Sequence, residues 1–173
     1  MSRCDKLVDI GRRQFLRGGA AAAAGAAAGA ATAQEASARA VSARVSYPSN
    51  RLANMKDLRV NEPLDISYPD DDSPGVLIKL GSQVPGGVGP DGDVVAYSTM
   101  CPHKGFPLEY NAPDKTLNCP GHYSRFDCEM DGQQIFGMSN QSLPKFDLRV
   151  DDKGDVYAEG VDELIYGRTA NIL

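Results

Sequence analysis

Two short segments of the sequence contain the residues that could bind a metal. They are residues 101–106, Cys-Pro-His-Lys-Gly-Phe, and residues 119–124, Cys-Pro-Gly-His-Tyr-Ser. Each segment offers one thiolate and one imidazole, and the chain has only two histidines, both of which lie here. Proline and glycine in both segments favour tight loops over helices or strands. The pattern predicts a metal site built from two loops. Its four predicted ligands are Cys101, His103, Cys119 and His122.

The spacing of these donors bears on the kind of metal site. Two Cys and two His can hold a tetrahedral zinc ion, usually from Cys-x-x-Cys and His-x-x-x-His pairs. Here each loop instead mixes the two residue types, at Cys-x-His and Cys-x-x-His spacing. Mixed pairs suit a binuclear iron–sulfur centre in which one iron takes both thiolates and the other takes both imidazoles. A zinc-binding interaction module without redox activity is the alternative left open by the residues alone.

The two loops resemble those of Rieske [2Fe–2S] proteins over about residues 95 to 150. Pro102, Gly105, Pro120 and Ser124 also stand where Rieske loops carry such residues. The resemblance implies one [2Fe–2S] cluster that relays electrons, with no catalytic residue on this chain. Rieske potentials lie at about −150 to +300 mV, against about −400 mV for plant-type ferredoxins, because neutral imidazoles replace two charged thiolates.

The sequence departs from the quinol-oxidising Rieske proteins at positions around the predicted cluster. Those proteins carry one further Cys in each loop, joined by a disulfide, and the matching positions here are Phe106 and Gly121. We hypothesise that the Phe106 ring packs against the small Gly121 instead. Ser124 stands where the family places a hydrogen-bond donor to the cluster, but Phe126 stands where it places a Tyr. With one donor of the two, we expect a potential in the middle of the Rieske range.

Short apolar or alternating segments separated by turn signals predict an all-β fold. Combined with the resemblance, they predict a Rieske-type antiparallel sandwich or barrel base with an inserted two-loop cluster-binding subdomain, at about residues 94–138. A loop at 139–144 should cover the cluster, and Lys104, Tyr123 and the 143–144 segment should surround its exposed edge. The predicted strands lie at residues 41–47, 63–68, 76–80, 94–98, 116–118, 124–128, 134–136, 146–150 and 156–159.

Residues 1–33 predict a Tat export signal, which leaves 34–173 as the Rieske domain. Arg12 and Arg13 precede Phe-Leu and an Ala- and Gly-rich run, and Ala-Thr-Ala at 31–33 offers a cleavage site. The run is short and weakly apolar for a membrane span. We therefore expect a periplasmic protein, with weak membrane association through an uncleaved signal left open.

The net charge of the domain indicates which kinds of partner it could bind, and the two remaining cysteines have expected positions. Without residues 1–33, 13 Lys and Arg face 21 Asp and Glu, a net charge of −8. So acidic a domain is unsuited to nucleic acid but could attract a basic cytochrome. Cys4 lies in the predicted signal, and Cys128 is expected to be a buried free thiol.

Among Rieske proteins, the whole chain most resembles the small subunit of arsenite oxidase. That resemblance implies a heterodimer with a large molybdopterin-containing catalytic subunit, whose electrons pass through this chain to a periplasmic cytochrome c or small copper protein. The alternative within the family is the Rieske subunit of a quinol-oxidising cytochrome bc complex, which the missing disulfide cysteines disfavour.

Overall fold

The computed structural model describes residues 46–172. Within that range the chain forms antiparallel β-strands and two short 3₁₀ helices, at Met55–Asp57 and Cys128–Met130. This architecture confirms the predicted all-β class. The strands are β1 (Asn50–Asn54), β2 (Pro63–Ser67), β3 (Pro74–Lys79), β4 (Val94–Ser98), β5 (Glu109–Asn111), β6 (Thr116–Asn118), β7 (Arg125–Asp127), β8 (Gln133–Phe136), β9 (Phe146–Val150) and β10 (Asp155–Val161).

The sheet of β2, β3 and β4 lies between two apolar cores. Every residue of β4 is buried, and successive side chains of a strand point to opposite faces of a sheet. Leu77, Val94 and Ala96 therefore join the core of the base, shared with the sheet of β1, β10 and β9. The opposite face contributes to the core beneath the predicted cluster. Its residues from β3 and β4 are Val76, Ile78, Val95 and Tyr97.

The third sheet, of β5, β6, β7 and β8, supports the metal-binding loops. The first predicted ligand loop joins β4 to β5, and the second joins β6 to β7. Because β4 pairs with β3, the first loop leaves directly from the central sheet of the molecule. The predicted subdomain of residues 94–138 thus begins with a strand of the central sheet and contains the whole of the third sheet.

Most predicted strands are present, with ends that shift by at most two residues. The structure adds β1 and β5, which the sequence did not predict. β1 is a largely polar edge strand that pairs with β10 through an irregular register, so it lacks the alternation that identifies a strand. The predicted set of strands is therefore wrong in leaving out residues 50–54.

Some predictions fall at the start of the chain. The export signal of residues 1–33, Cys4 and most of the strand predicted at 41–47 lie outside the described residues, and Ser46 and Tyr47 are not in a strand. Across residues 46–172, no helix has the length and apolar character needed to cross a membrane.

Candidate metal centre

The two ligand loops share one backbone design. In each, the Cys N–H donates to the carbonyl five residues later, Phe106 in the first loop (2.9 Å) and Ser124 in the second (2.8 Å). In each, the residue four positions after the Cys donates back to the Cys carbonyl, Gly105 at 2.8 Å and Tyr123 at 3.0 Å. That residue has positive φ in both loops, +68° at Gly105 and +61° at Tyr123. The repeated turn gives both loops the same shape.

The shared design brings the predicted ligands together in like pairs. The rings of His103 and His122 lie with centroids 4.7 Å apart, nearly perpendicular to each other. Cys101 and Cys119 are 1% and 2% exposed and belong to one apolar core. Among residues 46–172, no group of three or more His, Cys, Asp or Glu side chains is placed to hold a metal ion, so the two pairs stand separately. Two thiols in one place and two imidazoles in another match the ligand division of a Rieske centre.

The surroundings of Cys101 have opposing effects on the pKa of its thiol. Burial raises its pKa, and so does the adjacent Cys119 thiol, whereas hydrogen bonds from the backbone N–H groups of His103 and Lys104 lower it. A metal ion supplies the positive charge that deprotonates a coordinating thiol. Once the sulfur is a thiolate, the two N–H groups would stabilise its negative charge.

His103 provides an independent test of whether the site fits a cluster. Its Nδ1 atom is buried and has no hydrogen-bond partner among residues 46–172. A buried polar atom without a partner is costly and rare in folded proteins. A metal bond at this nitrogen removes that cost, so the site fits an iron ligated at Nδ1. The ligand roles of Cys101, His103, Cys119 and His122 nevertheless stay predictions.

Ser124 is completely buried beside the second loop. Its Oγ accepts hydrogen bonds from the backbone N–H groups of Met138 (3.1 Å) and Ser139 (3.0 Å). A hydroxyl that accepts twice still has its own hydrogen to donate. The structure therefore leaves the Ser124 O–H available for a cluster sulfur, as the resemblance implies. Phe126 is fully buried in the same core as Cys101 and Cys119.

Phe106 links the two loops without a covalent bond. A Cβ atom placed on Gly121 would lie 2.8 Å from both Cγ and Cδ2 of Phe106, so the ring fills the space that the missing side chain leaves. The Phe106 ring also meets the His122 ring edge-on, with centroids 5.7 Å apart. This is the contact that we hypothesised from the sequence. It joins the loops at the positions where quinol-oxidising relatives would place a disulfide.

The exposed edge next to His122 differs from the prediction. Leu143 is 1% exposed and belongs to the core with Cys101 and Cys119, and Pro144 is also buried, so the 143–144 segment is not part of an exposed rim. The prediction was wrong because a Leu-Pro pair in a loop gives no signal of which core it enters. Lys104 and Tyr123 are exposed.

A groove of about 590 Å³ lies at this edge. It is bordered largely by apolar and aromatic residues, among them Tyr123, Phe136 and Met138, which are 72%, 62% and 65% exposed. We call these three residues the cluster-edge patch. The predicted ligand His122 lines the same groove, together with Gly121 and Gly137. Phe136 and Met138 were not predicted to border the site, since apolar residues at or just after the end of a short strand look like residues of a core.

Cys128 agrees with its predicted role. It is fully buried and free of any disulfide, as are Cys101 and Cys119. Burial raises the pKa of the Cys128 thiol to about 12, and the nearby Asp127 and Glu129 carboxylates add to this effect. Cys128 is therefore an inert part of the core.

The fold and the site together define a class. An all-β domain that presents two thiols and two imidazoles from paired loops is built for an iron–sulfur cluster and single-electron transfer. The Rieske [2Fe–2S] domain model matches residues 50–147, more than half of the chain. The chain belongs to the Rieske family and holds one Rieske-type [2Fe–2S] cluster. This family membership excludes the alternative of a zinc-binding module.

Similar proteins include two named subunits. The chain is 41% identical over 132 residues to the iodate reductase subunit IdrB of Denitromonas iodatirespirans, covering 74% of this chain and 70% of that protein. It is 39% identical over 127 residues to the IdrB of Pseudomonas sp. (strain SCT), covering 72% and 66%. In fold it is similar to the soluble domain of the Rieske protein II (soxF) from Sulfolobus acidocaldarius, with a TM-score of 0.64, 23% identity and coverage of 71% and 82%.

Proposed function

We propose that this chain is the electron-transfer subunit of an exported oxidoreductase that acts on an oxyanion. The observation that carries the proposal is the 41% identity to an iodate reductase subunit over 74% of the chain. The cluster accepts and donates single electrons. Reaction at the oxyanion therefore belongs to a larger catalytic subunit, which we propose contains molybdopterin.

The cluster-edge patch supports a permanent protein partner. Its three residues are large, apolar and exposed, and they lie beside His122. Exposed apolar patches mark interaction sites, and interfaces of permanent complexes are more apolar than those of transient ones. A partner seated on the patch would also bring its own redox centre close to the cluster. We infer that the large subunit covers this edge.

The soluble electron carrier would then use another face. A net charge of −8 without residues 1–33 favours a basic carrier, which long-range attraction would speed to the complex. A cytochrome c or a small copper protein of the periplasm fits this role. The proposed periplasmic location depends on the Tat signal of residues 1–33.

The substrate decides the direction of electron flow. If the complex reduces iodate, electrons pass from the carrier through this chain to the large subunit. If it oxidises arsenite, as the resemblance of the whole chain to arsenite oxidase small subunits implied, they pass in the opposite direction. We favour iodate reduction, because the 41% identity to an iodate reductase subunit extends over 74% of the chain. Arsenite oxidation is the second candidate.

The experiment uses the native complex purified from the periplasm. Copurification of a large subunit that contains molybdenum, measured by mass spectrometry and metal analysis, is the first expected result. The complex is then reduced and mixed with iodate, or oxidised and mixed with arsenite, while the visible absorbance of the Rieske centre is followed. Reoxidation by iodate alone supports iodate reduction, and reduction by arsenite alone supports the second candidate. A chain that purifies without any large subunit contradicts the proposal.

Variants of the patch test the interface separately. Phe136→Ser with Met138→Ser should release the large subunit during purification while the Rieske EPR signal persists. Leu64→Ser is the matched control, since Leu64 is a 38% exposed apolar residue of β2, away from the loops. Equal retention of the large subunit by the double variant and the control would place the interface elsewhere.

A further inference from the structure

The C-terminal segment 162–172 forms a loop that is fixed at several points. Ile165 is 2% exposed, and its N–H donates to Oδ1 of the buried Asn171 (2.9 Å). The Asn171 side chain donates in turn to the Glu163 carbonyl (2.8 Å). Arg168 forms a bidentate pair with Asp70, at 2.6 and 2.7 Å, a geometry that fixes orientation. These anchors lie on both sides of Tyr166 in the sequence.

Tyr166 extends from this loop onto the first ligand loop. A Cβ atom on Gly105 would overlap ring atoms Cε1 and Cδ1 of Tyr166, so the ring lies directly against the Gly105 backbone. Tyr166 is 40% exposed, and the rest of its surface is covered. In the sequence, Gly105 lies between His103 and Phe106. The Phe106 carbonyl accepts a hydrogen bond from the Cys101 N–H. The ring therefore contacts the turn that fixes both predicted ligands of the loop.

Comparison of the two loops shows why this contact matters. At the left-handed position of the second loop, Tyr123 carries its own aromatic side chain. At the equivalent position of the first loop, Gly105 has no side chain, and the Tyr166 ring lies against it. Glycine leaves the backbone freer than any other residue. Without a ring against it, the first loop would have little to restrict its turn on that side.

We propose that Tyr166 is a positioning residue for the cluster: its ring, held by the anchored C-terminal loop, keeps the turn of residues 101–106 in the shape that binds iron. Phe106 connects the same loop to the second loop through its contact with Gly121. Tyr166 lies outside residues 50–147, the part that matches the family model. The proposal rests on the Rieske cluster alone and is independent of the partner and of its substrate.

The first test compares Tyr166→Ala, Tyr166→Phe and Leu164→Ala in the full-length, cluster-loaded protein. Leu164 is the matched control, an apolar residue of the same loop with 48% exposure. Tyr166→Ala should lose its visible cluster absorbance about fivefold faster, the factor that corresponds to about 1 kcal/mol. Amide hydrogen exchange should rise in residues 101–106 and not in β9 or β10. Tyr166→Phe and Leu164→Ala should match the wild type.

Three results would overturn the proposal. One is a Tyr166→Ala protein that behaves as Leu164→Ala does in cluster loss and exchange. Another is a rise in exchange throughout the domain, which would mean a general loss of stability. The third is a Tyr166→Phe protein as labile as Tyr166→Ala, which would assign the effect to the hydroxyl and not to the ring.

In a second test, the effect of Tyr166→Ala on the rate of cluster loss should change direction. Gly105→Ala adds a Cβ that overlaps the Tyr166 ring, at a backbone conformation that alanine also disfavours. In that background the ring repels the loop, so adding Tyr166→Ala should slow cluster loss or restore loading. In the wild-type background the same change should speed cluster loss. If Tyr166→Ala brings no improvement to Gly105→Ala, the direct contact is refuted.

Discussion

Replacing Ser124 by alanine should lower the reduction potential of the cluster. Its hydroxyl accepts from the backbone N–H groups of Met138 and Ser139, which leaves its hydrogen free to donate to a cluster sulfur. Reduction adds negative charge to the cluster, and a hydrogen bond to a charged acceptor is stronger than one to a neutral acceptor. The hydroxyl therefore stabilises the reduced state more than the oxidised state.

The size of the shift follows from these hydrogen-bond strengths. A bond to a neutral group contributes about 0.5–1.5 kcal/mol, and one to a charged group about 1.5–3 kcal/mol. A difference of about 1–1.5 kcal/mol between the two redox states corresponds to about 45–65 mV for one electron. The variant also leaves two backbone N–H groups without an acceptor, so its thermal stability should fall as well.

The assay is a redox titration followed by visible circular dichroism or EPR. Ser139→Ala is the matched control, because Ser139 is also buried but its hydroxyl donates to the Gln141 carbonyl (3.0 Å). The control should lose stability and keep the wild-type potential. An unchanged potential in Ser124→Ala, or an equal fall in both variants, would refute the role assigned to the Ser124 hydroxyl.

Three further predictions concern the core and the C-terminal anchor. Phe126→Tyr should raise the reduction potential if the added hydroxyl donates to the cluster, and a fall or no change on redox titration would contradict this. Arg168 holds the pKa of Asp70 in the folded protein below its usual value. The pair therefore stabilises the fold fully at pH values above the unfolded pKa of about 3.9. This stability is lost as the pH falls through the lowered folded pKa. Asp70→Asn should therefore have a lower melting temperature than the wild type at neutral pH and the same melting temperature in strong acid. A difference that persists in acid would contradict the stabilising role of the pair. Cys128 should resist alkylation by iodoacetamide at neutral pH until the protein unfolds, because burial raises its pKa to about 12; mass spectrometry of the folded, loaded protein checks this, and rapid labelling would show that the thiol is accessible.

Some strands could be predicted because their apolar residues follow a simple pattern. β4 is almost entirely apolar because both of its faces are covered, and its bounds are those predicted. β1 escaped prediction because an edge strand can be polar and still gain backbone hydrogen bonds from a neighbour, here β10. Sequence periodicity reports burial, and β1 has only one buried residue, Ala53.

The sequence alone determined the chemistry of this protein. Thiol and imidazole donors lie within a few residues of each other in each loop, so local spacing was enough to indicate a metal site, and the resemblance of the two loops to Rieske loops pointed to the cluster and the family. Contacts between distant segments were decided only by the tertiary structure. Tyr166 lies against Gly105, Leu143 enters the core of the predicted ligand cysteines, and Phe136 and Met138 are exposed beside His122. Such contacts depend on how whole sheets and the C-terminal loop pack together, and no short segment contains that information.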